Sequence, residues 1–330
     1  MRIRWLSLAV IACLWSAGCG NKTGPPSSLA PNAVTGGLTV QFLDVGQGDS
    51  ALLQWSGHAA LIDGGTPEAG ATVVSDLRRA GVKRLDYVFA SHPHADHIGG
   101  LPDVLDAFPV AHFVDSGFQT GSPQQVALLT AIGDHKIPFQ IAKRGQTLDL
   151  GGGLTLRLLA PPDPFLSSTD SDANNDSIVA RADFGGVKVL FTGDMEGAER
   201  RDLYAWLESQ PDGANALRAD VLKCAHHGSR NGTDAAFLRA VQPKVAVISC
   251  ADGNRYGHPH AAALGALKQG GVELYRTDKH GDVTLTTDGK TVTMAPAHTA
   301  TGDVWTTGKG RNRSRAARRP RRSRSLQPAY

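Results

Sequence analysis

Apolar and polar positions alternate in short runs along residues 38–62, with glycine-containing turns between them. The runs are "LTVQFLDV", "ALLQW" and "AALID". Each predicts a β-strand, because alternate side chains of a strand face opposite sides of a sheet. Residues 68–80 carry apolar residues at helical spacing and are followed by Gly81, so they predict a helix.

The middle of the chain mixes strands and helices. "LDYVFA", "AHFVD", "IPFQIA" and "LTLRLLA" predict strands, and residues 98–108 and 122–136 predict helices. A polar loop from Pro161 to Asn175 follows. Then "SIVARADF" and "VKVLFTGD" predict a hairpin around Gly185-Gly186.

Strands and helices alternate in the last part of the body. Helices are predicted over 196–208, 233–241 and 260–268, and strands in "DVLKCA", "KVAVIS" and "VELYRT", with "DVTLTT" and "TVTMA" at the end. Strands first, a mixed middle and alternation afterwards predict two sheets between helical layers, an α/β fold over residues 38–300.

The N-terminus predicts export. A positively charged start and a short apolar run up to Ala17 are typical of a secretory signal, which we place at residues 1–19. Small residues before Cys19 resemble the lipoprotein box of bacteria, in which the cysteine is lipidated and becomes the new N-terminus. We therefore expect an exported, membrane-anchored lipoprotein on the extracytoplasmic side; a cleaved signal without lipid is the alternative. Residues 20–37 predict a flexible tether.

The C-terminus is strongly basic. Nine Lys and Arg residues and no acid lie between Lys309 and Arg324, within a tail (301–330) that we expect to be disordered. Removing nine positive charges from the net +3 leaves −6. An acidic globule therefore carries a basic tail, which either binds nucleic acid or anionic lipid by charge attraction or has no role.

Only two cysteines, Cys224 and Cys250, follow the predicted signal. One disulfide bond between them could not stabilise a domain of this size, so the hydrophobic core must provide most of the stability. An oxidising exterior permits a bond between them if the geometry allows it.

The segment "SHPHADHIGG" (91–100) combines three histidines and an aspartate where a predicted strand ends. His92 and His94, two apart in an extended stretch, can point to the same side. Asp96 and His97, one turn on, can face a second centre nearby. Imidazole and carboxylate together suit zinc or a similar divalent ion.

Further ligands are expected at other strand ends, because strand ends converge on one rim. Asp194 follows "VLFTG", and its two oxygens could bridge two ions; the alternative is a helix N-cap. His226 and His227 follow "VLKCA", either as ligands or as one packed and one surface histidine. Asp63 either orients a histidine ring from behind the ligands or is an ordinary turn residue.

These segments together resemble a metallo-β-lactamase-fold hydrolase, and specifically the extracellular hydrolase domain of the ComEC competence proteins and their stand-alone relatives. The matching segments are "FLDVGQGDS", "LIDGG", "SHPHADHIGG", "NNDSIV", "LFTGD", "LKCAHHGS" and "NRYGHPH", in the family's order over about 38–285. The resemblance implies a four-layer αββα sandwich for residues 38–300.

The resemblance also implies a ligand set for two divalent ions, with Zn²⁺ as the first candidate for both and Mn²⁺ as the alternative. Its members are His92, His94, Asp96, His97, bridging Asp194, and His226, with His227 left uncertain. The broader fold often has another histidine before the strand "SIVARADF", where this chain has Asn174-Asn175-Asp176. Water, Asn175 or Asp176 is then expected to complete the first metal position.

A mechanism follows from the same resemblance. Two ions lower the pKa of a shared water, so a metal-bound hydroxide is available near neutral pH. Asp96 is expected to be both ligand and orienter of that water. His258, in "NRYGHPH", is expected to face the open side as a proton donor or a phosphate contact, or else to be structural.

The expected function is hydrolysis of a phosphodiester, with DNA as the first candidate substrate. The alternatives are hydrolysis of another ester, such as a phosphocholine, a lactone or a β-lactam, and a binding lipoprotein that keeps the fold as a scaffold. After the signal no apolar stretch of ~20 residues occurs, so DNA import would require a membrane channel partner that the sequence does not identify.

Overall fold

The computed structural model describes residues 36–308. The predicted signal, Cys19, almost all of the tether and the chain from residue 309 onward lie outside the described residues. Within the described part, no helix is long and apolar enough to cross a membrane.

Fifteen strands in the described chain form two sheets. The first sheet has the order β15-β14-β1-β2-β3-β4-β5-β6. Its strands are β1 (Leu38–Phe42), β2 (Ala51–Trp55), β3 (His58–Ile62), β4 (Leu85–Ala90), β5 (Val110–Asp115), β6 (Phe139–Ile141), β14 (Val283–Thr287) and β15 (Val292–Pro296). Pairing is antiparallel from β15 to β3 and parallel from β3 to β6.

The second sheet has the order β13-β12-β11-β10-β9-β8-β7. Its strands are β7 (Thr147–Asp149), β8 (Leu154–Leu158), β9 (Ala180–Phe184), β10 (Val187–Phe191), β11 (Val221–Lys223), β12 (Val245–Ile248) and β13 (Glu273–Arg276). The hairpin predicted around Gly185-Gly186 joins β9 and β10. Strands β10 to β13 run parallel, as their helical crossovers require.

The helices lie on the outer faces of the two sheets. They are α1 (Gly70–Arg79), α2 (Ala95–Ile98), α3 (Leu101–Ala107), α4 (Pro123–Asp134), α5 (Gly197–Glu208), α6 (Ala235–Val241), α7 (Ala261–Gln269) and α8 (Thr277–His280). Residues 98–108 were predicted as one helix. The structure instead has α2 and α3, separated at Gly99-Gly100, where a side chain on Gly100 would lie 2.2 Å from the Gly64 carbonyl oxygen.

Neighbouring residues of one strand point into different cores, which defines four layers. Leu53 lies in the core between the sheets, whereas Leu52 packs with Val73 of α1 on the outer face. In the second sheet Val189 faces the first sheet and Leu190 packs beneath α5 to α7. The predicted αββα sandwich is confirmed.

Two features depart from the sequence expectations. Cys224 and Cys250 are both free and buried, so the bond that the sequence left open is not formed. The packed chain also continues beyond residue 300, the predicted end of the domain: Val304 and Trp305 pack against the core beneath α5 to α7.

Candidate metal centre

The predicted ligands follow four strands whose ends meet at one rim of the sandwich. The histidine segment follows β4, Asp63 follows β3, Asp194 follows β10, and the pair His226-His227 follows β11. Backbone hydrogen bonds join these turns: the Ile178 amide donates to the Ser91 carbonyl oxygen, and the His226 amide to that of Gly193. The rim is therefore one connected surface built from both sheets.

The turn Gly46-Gln47-Gly48 supports the start of α2. The Asp49 amide donates to the Asp96 carbonyl oxygen at 3.1 Å. A side chain on Gly48 would lie 2.4 Å from that oxygen, so only glycine allows this approach. The contact fixes the first turn of α2, which carries Asp96 and His97.

Asp194 occupies the centre of the site and is 2% exposed. Its Oδ1 lies 3.2 Å from His97 Nε2 and 3.7 Å from His227 Nε2. Its Oδ2 lies 3.8 Å from His92 Nε2 and 3.6 Å from His226 Nε2. The N-cap of α5 is Glu196, so Asp194 is not the helix cap that was its alternative role.

Two groups of candidate metal ligands lie around the Asp194 carboxylate. Nitrogens of His92 and His94 and an oxygen of Asp194 lie within 4.8 Å of one another. A second group within the same limit consists of Asp96, His97 and His227, with His227 Nε2 3.3 Å from Asp96 Oδ2. Five of the six ligands expected from the resemblance are therefore brought together as expected.

His226, the sixth residue of the expected set, places its Nε2 3.6 Å from Asp194 Oδ2. His227, which the sequence left uncertain, faces Asp96 and His97, while His226 belongs to none of the candidate ligand groups of the described chain. His226 Nδ1 instead lies 2.9 Å from Glu196 Oε1. Both histidines have left-handed backbone conformations, with φ of 49° and 52°, a strain that proteins retain mainly at functional sites.

Acidic side chains behind the site orient its histidines. Asp63 Oδ2 lies 2.9 Å from His97 Nδ1, and the same carboxylate accepts hydrogen bonds from the Ser91 amide and hydroxyl. Asp49 Oδ1 lies 3.2 Å from His227 Nδ1, and its Oδ2 accepts a 2.7 Å hydrogen bond from the Lys223 ammonium. Each ring thus presents Nε2 to the centre.

Water, Asn175 or Asp176 was expected to complete the first metal position, and both of these side chains make contacts within their own loop and with α5. The Asn175 side chain accepts from the Glu199 amide and donates to the Ser171 carbonyl oxygen. Asp176 accepts from the Leu166 amide. Both residues hold the loop, whereas Asn174 lines the cavity of the centre.

The donor atoms fit a divalent cation. His97 Nε2, His227 Nε2 and Asp194 Oδ1 are buried and have no hydrogen-bond partner among the described residues. Two ligands of one tetrahedral ion at about 2.0 Å lie roughly 3.3 Å apart, close to the 3.2 and 3.7 Å found here. These ring nitrogens and the carboxylate oxygen are buried, have no hydrogen-bond partner in the described part of the chain and lie at the spacing of metal ligands. They therefore suit zinc or a similar ion.

The charges of the site favour a cation. Burial alone raises the pKa of Asp194, but the surrounding histidines, His97 first, hold that pKa well below its usual range. Burial lowers the pKa of His227, but Asp194 and Asp49 outweigh it and raise the pKa to about 10. Protons on histidines thus balance ionised carboxylates, and a metal cation would replace those protons.

The centre opens into a cavity of about 290 Å³, lined by Asp96, Asp194, His226 and His258 among others. An adjoining cavity of about 530 Å³ shares Gln47, Asp96 and Tyr256 with it and continues past Arg255. His258 is buried and lines the first of these cavities. Burial, followed by the charges of His227 and His226, lowers the pKa of His258 to about 3. Its ring is neutral at pH 7, which suits a hydrogen-bond donor better than a proton donor.

Residues 43–168 and 172–252 match the family model described as the metallo-beta-lactamase superfamily. The chain belongs to the metallo-beta-lactamase superfamily. This membership agrees with the two-sheet αββα fold and with ligand groups at the rim of the sandwich. Because the superfamily has a metallo-hydrolase fold, this membership supports the prediction that the chain is a hydrolase.

Two curated relatives are competence proteins. ComE operon protein 3 of Bacillus subtilis is 29% identical over 264 residues, which cover 74% of this chain and 32% of that protein. Competence protein ComA of Neisseria gonorrhoeae is 30% identical over 243 residues, covering 73% and 31%. This metallo-beta-lactamase superfamily chain spans about a third of the length of these ComEC-like relatives.

Among solved structures, the metallo-beta-lactamase fold protein YhfI from Bacillus subtilis is 15% identical, with a TM-score of 0.47. The match covers 78% of this chain and 100% of that one.

Sequence reasoning missed the residues that hold the ligands in place. They are Asp49, Glu196 and Lys223, together with the contact of Asn174, a residue that the sequence had singled out only as part of its segment. Asp49 directly follows the Gly46-Gln47-Gly48 turn in one of the matching segments, which was a usable signal. Lys223 sits in an apolar strand sequence, where a buried lysine implies a buried acidic partner. Glu196 and Asn174 carry no comparable sequence signal, because their contacts with His226 and with each other are tertiary.

Proposed function

We propose that this chain is a metal-dependent phosphodiesterase that acts on DNA or a related nucleotide and uses two divalent ions, with zinc as the first candidate and manganese as the alternative. The observation that carries the proposal is the Asp194 carboxylate, whose Oδ1 faces His97 and His227 and whose Oδ2 faces His92. Paired cations beside an open cavity suit a substrate that is itself an anion.

The protein groups supply positioning and charge. When bound, divalent ions supply Lewis acidity and lower the pKa of a coordinated water. Asp96 is 28% exposed at its side chain and lines both cavities, so its carboxylate can orient a water molecule by accepting a hydrogen bond. Neutral His258 can donate a hydrogen bond to a phosphate oxygen from the opposite wall. His226 is held between Glu196 and Asp194 at the cavity surface.

Other functions of the site remain to be separated by experiment. The same donors could serve the hydrolysis of a phosphocholine ester, a lactone or a β-lactam, or a binding protein without catalysis. Names of two relatives, which refer to competence, favour a nucleic acid over these esters. The buried ring nitrogens and carboxylate oxygen without hydrogen-bond partners among the described residues favour a metal-binding site over a protein that keeps the fold only as a scaffold.

The test measures metal content and substrate choice on one preparation. The protein should bind close to two ions by elemental analysis and hydrolyse bis(p-nitrophenyl) phosphate and plasmid DNA faster than nitrocefin, lactones or phosphocholine esters. Asp194→Ala should lose metal and nearly all hydrolysis, whereas Asp134→Ala, on an exposed position of α4, should behave like the parent. A folded, active protein without metal would contradict the proposal. If nitrocefin were the best substrate, the protein would be a β-lactamase and not a phosphodiesterase.

We further propose that the protein is exported and anchored by a lipid on Cys19, which lies outside the described residues. Acyl chains gain ~0.8 kcal/mol for each buried methylene, so one lipidated terminus can hold the chain at a membrane. Cys19→Ala should move the protein from the membrane fraction to the soluble fraction of the exported material, while Cys13→Ala should not. Full membrane retention of the Cys19 variant would contradict the anchor.

A further inference from the structure

The cavity of about 530 Å³ adjoins the cavity of the metal centre. Gln47, Ala95, Asp96 and Tyr256 line both of them. Its volume lies in the range of about 300–1,000 Å³ that holds small organic ligands. A phosphodiester carries two organic groups on its phosphorus, so one of them would enter this larger cavity when the phosphate lies at the centre. The residues that line it therefore select that group.

Tyr256 presents an aromatic ring where the two cavities meet. The residue is 48% exposed, and its ring stacks on that of His258, with 5.5 Å between the ring centres and 20° between the ring planes. An exposed aromatic ring beside a cavity leaves apolar surface in contact with water, and covering it with another ring is favourable. Tyr256 thus connects the wall of the metal centre to a stacking surface in the larger cavity.

The loop that carries Tyr256 is held from inside by Asn254, which is buried. Asn254 Oδ1 accepts hydrogen bonds from the Tyr256 amide at 3.1 Å and the His258 amide at 3.0 Å. Its Nδ2 donates to the carbonyl oxygens of Ala251 and His258, at 2.9 and 2.6 Å. Because the backbone under Tyr256 is already fixed, a ligand that stacks there loses little free energy to ordering the loop.

Arg255 extends the stacking surface. Its guanidinium carbon lies 4.8 Å from the centre of the Tyr256 ring, and its Nη2 donates a 2.6 Å hydrogen bond to Tyr256 Oη. Guanidinium planes and aromatic rings are both surfaces on which nucleobases stack. A quaternary ammonium group also binds to aromatic rings, but here the Arg255 charge would repel it. The pair therefore favours a base over a choline group.

The other polar side chains of the lining suit an uncharged, hydrogen-bonding group. Thr66, Glu68 and Gln124 offer a hydroxyl, a carboxylate and an amide to the larger cavity. Two carboxylates, those of Glu68 and Asp96, disfavour a further phosphate there. The edge of a nucleobase carries donors and acceptors that such side chains recognise. The lining thus fits a flat, neutral group with a polar edge.

We propose that the larger cavity is a nucleoside subsite, in which the base attached to the phosphate at the metal centre stacks on Arg255 and Tyr256. This inference rests on the proposed function and adds to it that one substituent of the phosphodiester is a nucleoside. It holds for a nucleotide and for a polynucleotide alike, because a single base occupies the subsite.

The first experiment locates the base without relying on turnover. A single-stranded oligonucleotide that carries 5-iodouracil, which crosslinks on irradiation to aromatic side chains stacked against it, would be irradiated with the metal-free full chain. Mass spectrometry of the digest should place a crosslink on Tyr256. Tyr256→Leu should lose it, whereas Phe165→Leu, at a residue that is 40% exposed and lines neither cavity, should keep it. Crosslinks that form only at other residues would overturn the inference.

The second experiment compares two esters with the same leaving group, thymidine 5′-(p-nitrophenyl phosphate) and methyl p-nitrophenyl phosphate, on the metal-loaded protein. The ratio of their kcat/KM values reports the contribution of the nucleoside. In Tyr256→Leu this ratio should fall by about 5- to 150-fold, the range for the loss of one stacked base. Tyr256→Phe should retain most of the ratio because the ring remains, and Phe165→Leu should match the parent. Equal losses on both esters would show that Tyr256 only supports His258 and would overturn the inference.

Two further outcomes separate this inference from its alternatives. If p-nitrophenyl phosphorylcholine is the preferred ester and loses most rate in Tyr256→Leu, the cavity binds choline and the inference is wrong. If the metal-loaded protein hydrolyses no phosphodiester, the proposed function fails, and the crosslink on the metal-free chain still decides whether a base binds at Tyr256.

Discussion

Asp49 Oδ1 lies 3.2 Å from His227 Nδ1, which also lies 3.1 Å from the Ser249 carbonyl oxygen, and together these two oxygens set the direction of the ring that faces Asp96 and His97. Asp49 is in turn paired with Lys223 at 2.7 Å, and both are buried. A carboxylate behind a histidine ligand fixes the ring and raises its basicity. The group formed by Asp96, His97 and His227 is therefore supported by the buried Asp49–Lys223 ion pair. Neither residue of that pair is among the expected metal ligands.

Asp49→Asn should weaken metal binding at the second position by about 10- to 100-fold, the range found for residues that hold metal ligands in place. Competition against a chromogenic zinc chelator would measure it. Asp134→Asn, on an exposed surface of α4, is the matched control and should bind like the parent. Equal affinity of the Asp49 and Asp134 variants would show that Asp49 does not orient a ligand.

His227→Ala and His226→Ala should separate the two histidines. Both residues have φ near +50°, so each alanine variant bears a similar backbone strain. His227→Ala should lose about one bound ion, because it removes a donor facing Asp96 and His97. His226→Ala should retain both ions and lose activity instead. Elemental analysis decides, and loss of an ion only in the His226 variant would reverse the assignment.

His258→Ala should keep its metals and lower kcat/KM by roughly 10- to 100-fold, the cost of removing one hydrogen bond to a charged group. Since the pKa of His258 lies near 3, the ring is neutral at pH 7 and the loss should be similar for DNA and for bis(p-nitrophenyl) phosphate. His258→Gln, which retains a donor, should recover part of the rate. A loss confined to DNA, whose leaving group needs a proton, would show that His258 is a general acid.

Glu199→Gln should stabilise the protein at neutral and alkaline pH. Glu199 is 0% exposed on α5, and burial, followed by the charge of Asp176, raises its pKa well above the usual value. A raised acid pKa means that the folded state keeps a proton that the unfolded state loses near pH 4.5. The stability due to that proton is therefore complete below pH 4.5 and is lost as pH rises through the folded-state pKa.

Thermal unfolding of the parent and the Glu199 variant from pH 4 to 9 would measure this effect. The Tm of Glu199→Gln should exceed that of the parent increasingly toward high pH, by about 2–4 °C for each kcal/mol gained. Glu208→Gln, at the exposed end of the same helix, should follow the parent curve. A constant difference between Glu199→Gln and the parent at all pH values would rule out this titration.

Sequence patterns predicted the fold well because both faces of each sheet are covered, so neighbouring residues of one strand are buried in different cores. In β2 and β10, pairs such as Leu52–Leu53 and Val189–Leu190 leave no polar face, so these strands are apolar runs, whereas β1 alternates between buried and half-buried positions. The short edge strand β7 (Thr147–Asp149) was missed. Only its middle residue faces the core, and a single apolar position carries no periodicity.

The sequence by itself predicted the αββα fold and five candidate ligands that the structure brings together, since His92, His94, Asp96, His97 and Asp194 follow strand ends that meet at one rim. Only the tertiary structure distinguishes the surroundings of His226 from those of His227. Two adjacent histidines are equivalent in sequence, but their left-handed backbone turns one ring toward Asp49 and Asp96 and the other toward Glu196. The approach of Gly308 to His258 is likewise a contact between distant segments, which no local pattern encodes.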